Sequence, residues 1–262
     1  MSGASGFICL LTDFSSSEPF AGIMKGAIYS VFPRAVITDL SHDLPKYDIR
    51  RAAAVLRDSY RFFPDGTVFV CVVDPGVGSC RRAIALKTDR FFFLAPDNGL
   101  LSHVMRENPG WAAFSLDRAS FFMGHVSSTF HGRDIFAPCA AHIASGCRIE
   151  DMGTRIDDPE IFEDERPEIN LPFIRGRVCS IDCYGNMATN ISESDLQGRT
   201  DVRISLGKYS ISGISPSYYD GRDSVFCAVI NGSGFLEIAS YRSSASSMFD
   251  NPAELIIEAE VS

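Results

Sequence analysis

Apolar positions in the first half of the chain alternate between two rhythms. Residues 7–11 form an apolar run of strand length. Phe20, Ile23, Met24, Ala27, Ile28 and Val31 then recur at helical spacing and stop before Pro33. Residues 35–40 read as a second strand. Ile49, Ala52, Ala53, Leu56 and Tyr60 mark a second helix, ended near Pro64. Residues 67–73 are continuously apolar, as a strand buried on both faces would be. Strand-like runs at 83–88 and 91–95 follow, then a short helix from about Gly99 and a longer one over 135–144. Strands alternating with helices predict an α/β fold, with a largely parallel central sheet and helices on its faces.

The pattern changes near residue 157. An acidic stretch with three prolines and no clean period follows, and it reads as a linker. Beyond it, β-like runs at 178–181, 202–206, 225–230, 235–239 and 255–261 are separated by Gly, Ser, Asn and Asp, with no helical period among them. These predict a small all-β domain. The expected organisation is an N-terminal α/β domain over 1–160, a linker over 161–174 and a C-terminal domain over 175–262.

Composition narrows the function. The net charge of −9, from 33 acidic and 24 basic residues, comes with no basic cluster longer than Arg50–Arg51 or Arg81–Arg82. Nucleic acid is therefore not an expected partner. No apolar run reaches the roughly 18–20 residues of a membrane helix, so no membrane partner is expected. The first residues carry no Lys or Arg ahead of their apolar stretch, which predicts a cytoplasmic chain without a secretory leader. The eight cysteines form no C-x-x-C pair and mostly sit in apolar runs, the pattern of reduced structural thiols. The five histidines (His42, His103, His125, His131, His142) show no ligand spacing, so no metal is expected.

Three polar clusters interrupt or follow apolar runs in the first half. In a parallel sheet, ligands bind beyond the carboxyl ends of the strands, so polar residues there are candidates. Thr12-Asp13-Phe14 follows the first strand, where Asp13 could accept hydrogen bonds from a ribose diol or could merely cap a turn. Asp74-Pro-Gly-Val-Gly-Ser-Cys-Arg81 follows the third. It is neither a dinucleotide fingerprint nor a phosphate loop, and by itself it fits a turn with a structural Asp74–Arg81 pair. Ser128-Thr-Phe-His131-Gly-Arg-Asp134 opens a helix, where His131 could handle protons while Thr129 or Asp134 caps. In the β-rich half, Asp182-Cys-Tyr-Gly-Asn186 and Asn231-Gly-Ser233-Gly-Phe-Leu-Glu237 could be turns and nothing more.

Together these segments form a recognisable set. LLTDF, MKGAI, the run over residues 41–53, FPDGTVFVCVVDPGVGS, APDNGLL, STFHGRDIFAP and DCYGN with TNI, in that order, resemble the S-adenosylmethionine hydroxide adenosyltransferases. These are relatives of the bacterial fluorinase and chlorinase, and the likeness spans residues 10–239. It implies a barrel-like C-terminal β domain and a homotrimer with active sites at the subunit interfaces. It also implies hydrolysis of S-adenosylmethionine to adenosine and L-methionine by water attack at ribose C5′, with no cofactor beyond the substrate. By the same resemblance Asp74, Arg81 and His131 would handle the attacking water and Asp13 would hold the ribose diol. Asp182 would meet the methionine ammonium, Asn186 would contact adenine or substrate, Ser233 would stand next to the position that contacts the methionine carboxylate, and Glu237 would lie in the segment closing over the ligand. Ser15, Tyr184 and Gly232 depart from the family's usual Gly, Phe and Ser. Two alternatives remain: a halogenase of the same family, against which Asp74, Arg81 and His131 speak, and a non-catalytic S-adenosylmethionine-binding sensor. A methyltransferase is disfavoured because no Gly-rich loop of that type follows the first strand.

Overall fold

The computed structural model describes residues 3–163 and 166–261. It divides into two compact units, Met1–Phe162 and Glu163–Ser262.

The first unit is built on a seven-stranded sheet. Its strands are β1 (Phe7–Thr12), β2 (Val36–Ser41), β3 (Val68–Val72), β4 (Ala83–Lys87), β5 (Phe92–Pro96), β6 (Ala112–Leu116) and β7 (Gly153–Ile156), in the order β2-β1-β3-β5-β4-β6-β7. The strands from β2 to β5 in that order are parallel, and β4, β6 and β7 extend the sheet in antiparallel fashion. Alternate residues of the central strands feed two cores. Ile8, Leu10, Val68, Val70 and Val72 pack with Met24 and Ile28 of helix α1 (Phe20–Val31) and with helix α4 (Ala137–Ala144). Cys9, Leu11, Phe69 and Cys71 pack on the other face with α2 (Ile49–Ser59) and α3 (Ser102–Glu107). The continuous apolarity of β3 is thus the mark of a strand sandwiched between helices.

This topology locates a site. The chain passes from β1 through α1 to β2 on one side, then through α2 back across β1 to β3 on the other. The direction of winding reverses between β1 and β3, which is where open α/β sheets bind ligands. Thr12 pairs with Val72 in this ladder, so Asp13 and Asp74 leave neighbouring strand ends. The strands around them are anchored by fully buried aromatics such as Phe69 and Phe93, whose rings stack at 5.1 Å. Each such side chain contributes roughly 1.5–3 kcal/mol of burial, which makes the strand ends a firm platform.

The second unit is an antiparallel, nearly closed barrel-shaped sheet. Its strands are β8 (Glu168–Asn170), β9 (Phe173–Ile181), β10 (Met187–Ser192), β11 (Val202–Leu206), β12 (Tyr209–Ser212), β13 (Cys227–Ile230), β14 (Phe235–Ala239) and β15 (Ile256–Val261). They run in the order β12-β11-β15-β9-β10-β14-β13, with β8 added on β9. Long β9 belongs to both halves of the sheet, pairing β15 and β8 along its first part and β10 along its end. Gly176 on β9 permits this packing, because a Cβ there would stand 2.5 Å from Asn190 Oδ1 and from Ile191 Cγ1.

Several short elements escaped the periodicity reading. The stretch over 161–174 carries β8 and the start of β9. Strands β6, β7, β10 and β12 were not expected, and α3 begins at Ser102 rather than near Gly99. Strands of four to six residues offer too few alternations to stand out, and β10 lies in a segment rich in Asn and Thr. Among the described residues no helix is long and apolar enough to cross a membrane.

Candidate active site

Strand β3 delivers Asp74 to the end of the sheet. The carbonyl of Val73, just before it, accepts 3.0 Å from Asn98 Nδ2, so the strand end is closed rather than frayed. Two successive tight turns follow, with Val77 N donating to Asp74 O and Ser79 N to Gly76 O. They return Arg81 onto Asp74. Arg81 Nε donates to Asp74 Oδ1 at 2.9 Å, and its Nη2 donates to Oδ2. The side chains are 11% and 5% exposed, so this two-pronged ion pair is largely removed from water.

The same Nη2 lies 2.8 Å from His131 Nδ1. A guanidinium can only donate, so Nδ1 must accept, and the proton of the neutral ring sits on Nε2. Burial and the neighbouring Arg81 charge hold the His131 pKa below its ordinary 6.5, against the opposing pull of Asp74 and Asp134. His131 is therefore a neutral ring whose Nε2 is a donor.

Local folding brings His131 to this place. Gly78 has φ +80°, and a Cβ there would lie 2.4 Å from the Ser128 carbonyl, so only glycine lets the β3 loop lie against the Ser128–His131 strand of chain. The helix behind His131 opens with a π-helical turn over Gly132–Phe136, a distortion that often re-aims residues at functional sites. Buried Asp134 folds back onto the preceding segment. It accepts from Ser127 N at 2.8 Å and from Arg133 Nε at 2.6 Å. Asp134 thus ties down the segment ahead of the helix rather than capping it, and it serves different partners from His131.

Asp13 stands across from this trio. Its Oδ2 accepts from Tyr47 N at 2.8 Å. Asp13, Asp74 and His131 line one cleft of about 360 Å³, a size suited to a small organic ligand. Arg81 is absent from its lining and clamps the other two from behind. One wall is apolar: the rings of Phe14, Phe20 and Phe130 meet edge to face at 5.6–5.9 Å. The cleft therefore offers an apolar platform beside three carboxylates (Asp13, Glu18 and Asp74), the Lys46 ammonium and a neutral imidazole.

Arg82 has a separate role. It turns away from its neighbour to donate 2.7 Å bonds to Asp97 and Asp158, and Asp97 also accepts from Glu160 N. The motif around Asp97 and Asn98 thus anchors chain, with Asn98 closing the strand that carries Asp74.

The remaining candidates lie in the second unit. Asp182 Oδ1 accepts from the backbone N–H groups of Tyr184 and Asn186, and its Oδ2 accepts from Asn186 Nδ2 at 3.0 Å. Buried Glu237 on β14 accepts from Tyr218 Oη at 2.7 Å and from Asn231 Nδ2 at 3.2 Å. Asn231 Oδ1 in turn accepts from Ser233 N. Tyr218 was not singled out from the sequence, because it sits in a turn-rich segment without periodicity. Burial, then its bond to Glu237, raises its phenol pKa, with the Asp182 charge adding to the effect. Asp182, Asn186, Tyr218, Asn231 and Glu237 therefore form one polar neighbourhood.

Known proteins bear out the likeness. Residues 8–153 match the SAM hydroxide adenosyltransferase N-terminal domain, and residues 176–254 match the C-terminal domain of the same family. The chain belongs to the SAM hydroxide adenosyltransferase family. An (R)-S-adenosyl-L-methionine hydrolase of Thermus thermophilus is 32% identical over 91% of this chain and 93% of its own. A fluorinase of Nocardia brasiliensis is 27% identical over 99% and 98%. A crystal structure of an uncharacterized conserved protein from Thermotoga maritima superposes with a TM-score of 0.90, at 33% identity over 96% of this chain and 99% of that one.

Proposed function

We propose that this protein hydrolyses S-adenosylmethionine to adenosine and L-methionine, with water attacking ribose C5′. The observation that carries the reading is the Asp74–Arg81–His131 constellation beside Asp13 at the switch point of the sheet. Membership of a family containing several named (R)-S-adenosyl-L-methionine hydrolases supports it.

The substrate supplies its own leaving group. As the C5′–S bond breaks, its electron pair neutralises the sulfonium and methionine departs as a thioether, so neither a general acid at sulfur nor a metal or cofactor is required. What remains is to hold a water in line with that bond and take its proton. Asp74 is the acceptor in this scheme. Arg81 occupies one lone pair on each of its oxygens, and the others stay available. His131 cannot serve while Nδ1 accepts from Arg81 and Nε2 keeps its proton, so it donates to the water oxygen and orients it. Asp13 takes the ribose diol, and the three phenylalanines offer a dry apolar wall for the rest of the nucleoside.

The anionic Asp74 also speaks against a halogenase, because it puts negative charge where a halide would approach. Asp182, Asn186, Ser233 and Glu237 are assigned to the methionine and adenine ends of the substrate. The reading includes a homotrimer in which these residues complete the site of a neighbouring copy, supported by the family resemblance. It also includes a cytoplasmic location, consistent with eight cysteines that form no disulfide.

The test is turnover of each sulfonium epimer of S-adenosylmethionine in ¹⁸O-water, with and without chloride. Adenosine labelled at its 5′-oxygen, regardless of chloride, is the expected product. A 5′-chloroadenosine would move the protein to the halogenase branch. S-adenosylhomocysteine, or intact substrate bound without reaction, would overturn hydrolysis.

A further inference from the structure

A buried histidine outside the catalytic trio remains unexplained by the mechanism. His42 is 6% exposed and sits just beyond β2. Its Nδ1 lies 2.8 Å from Thr12 Oγ1, and Thr12, fully buried, is the last residue of β1 before Asp13. Its Nε2 is 3.0 Å from Asp39 Oδ1 but off the line of a well-formed hydrogen bond, which leaves this buried nitrogen unpartnered in that sense. Lys25 Nζ closes on the other oxygen of Asp39 at 2.6 Å. Burial would raise the Asp39 pKa, but the bond from Lys25 and the close His42 ring outweigh this and hold it below the ordinary carboxylate value. A polar chain thus runs from Lys25 on α1 through Asp39 and His42 to the end of β1.

The segment around His42 also grips the turn that follows Asp13. Ser15 N donates 2.7 Å to the His42 carbonyl, and Ser16 N and Oγ both donate to the Asp43 carboxylate. Tyr47 N donates to Asp13 itself. Ser15 and Tyr47 stand at φ +70° and +66°, a left-handed conformation that non-glycine residues hold only when their surroundings impose it. Both strained residues flank the Asp13 carboxylate. A carboxylate that must meet two hydroxyls of one ring needs its position fixed to within about 0.5 Å, and an exposed turn alone does not provide that.

We propose that His42 is a positioning residue for the nucleoside site: its imidazole, through Thr12, reinforces the grip that its main-chain carbonyl has on Ser15 and fixes the turn that aims the Asp13 carboxylate at a vicinal diol. The inference rests on the reading of Asp13 as the diol-binding carboxylate. It predicts that His42 controls discrimination for the diol rather than general affinity or the chemical step.

Calorimetric binding of adenosine and 2′,3′-dideoxyadenosine to the full chain separates these effects. In the unaltered protein the dideoxynucleoside is expected to bind roughly 10- to 100-fold more weakly, because hydrogen bonds to a charged carboxylate are lost. In His42→Leu that ratio is expected to shrink to about 3-fold or less, the coupling signature of two linked sites. His42→Asn, whose amide can take the place of Nδ1 beside Thr12, is expected to restore most of the discrimination. Thr12→Val, nearly isosteric and buried, should repeat the loss and serves if His42→Leu does not fold. In steady-state assays both disruptive variants should raise KM more than they lower kcat. A discrimination ratio unchanged in His42→Leu and Thr12→Val overturns the role of His42 and leaves the proposed hydrolysis standing. Equal affinity for the two nucleosides in the unaltered protein removes the diol role of Asp13, and the inference falls with it.

Discussion

The polar clusters that hold the candidate site residues in the two units are assembled in opposite ways. In the first unit Arg81 and His131 meet across 50 residues of sequence, and the ion pair between Arg81 and Asp74 is nearly buried. In the second unit Asp182 and Asn186 bond each other across four residues, in an exposed turn beside Tyr184, which is 75% exposed. The first arrangement is over-determined by tertiary structure: strand end, glycine approach, π-turn and buried guanidinium all specify the same geometry. The second joins an exposed local turn at Asp182 and Asn186, whose bonds can be exchanged for bonds to a ligand, to a buried Glu237 held by Tyr218 and Asn231. The contrast fits a division between groups that must be pre-organised for chemistry and groups that only need to recognise a substrate.

The sharpest way to break the comparison is at Asp74. Asp74→Asn keeps the volume but removes the proposed proton acceptor and leaves Arg81 poorly matched. Turnover in steady-state assays is expected to fall by roughly 10²- to 10⁴-fold. A variant with near-normal kcat would show that the buried cluster is structural and that chemistry lies elsewhere.

A smaller effect should appear in pH dependence. Protonating His131 would set two donors, Nδ1–H and Arg81 Nη2, against each other. Its pKa is lowered by burial and by Arg81, so the neutral ring should survive below pH 6.5, and kcat/KM should lose activity only below that ordinary value. The linkage has the same sign. Below pH 6.5 the unfolded chain takes up the proton more readily than the folded one, so this contribution to stability is complete above that pH and is lost as pH falls through the folded-state value. In His131→Gln the part of the acid limb due to the imidazole should vanish from the pH–rate profile. An unchanged limb would remove His131 from the scheme.

The smallest effect is expected in the second unit. Tyr218→Phe removes one donor to Glu237 and should cost about 1 kcal/mol in chemical denaturation, with kcat nearly unchanged and KM raised a few-fold. A large loss of kcat with normal folding would mean that this cluster, too, takes part in the chemical step.

The legibility of the sequence differed between these regions for a physical reason. Asp13, Asp74 and His131 could be singled out because each interrupts or follows an apolar run, and buried parallel strands announce their ends clearly. The Asp74–Arg81 pair was legible from the turn between the two residues, but the bond of Arg81 to His131 was not, since spacing along the chain carries no information on what Gly78 allows to approach. His42 looked like one more histidine without ligand spacing, although Thr12 and Asp39 flank it in space. Tyr218 lies in a turn-rich stretch that carries no periodic signal. The short strands β6, β7, β10 and β12 were missed because their pairing, not their composition, makes them strands.

Hydrophobic periodicity by itself determined that the chain would have an α/β first half and an all-β second half, because burying an amphipathic face depends only on local spacing. The order of residues also carried the family resemblance and with it the candidate residues. Only the tertiary structure decided that the winding reverses between β1 and β3, that His131 is a neutral donor, and that Arg81 serves from behind the cleft while Arg82 turns away. Those are properties of groups brought together from distant points in the chain, where hydrogen-bond direction and desolvation act through space rather than along the sequence.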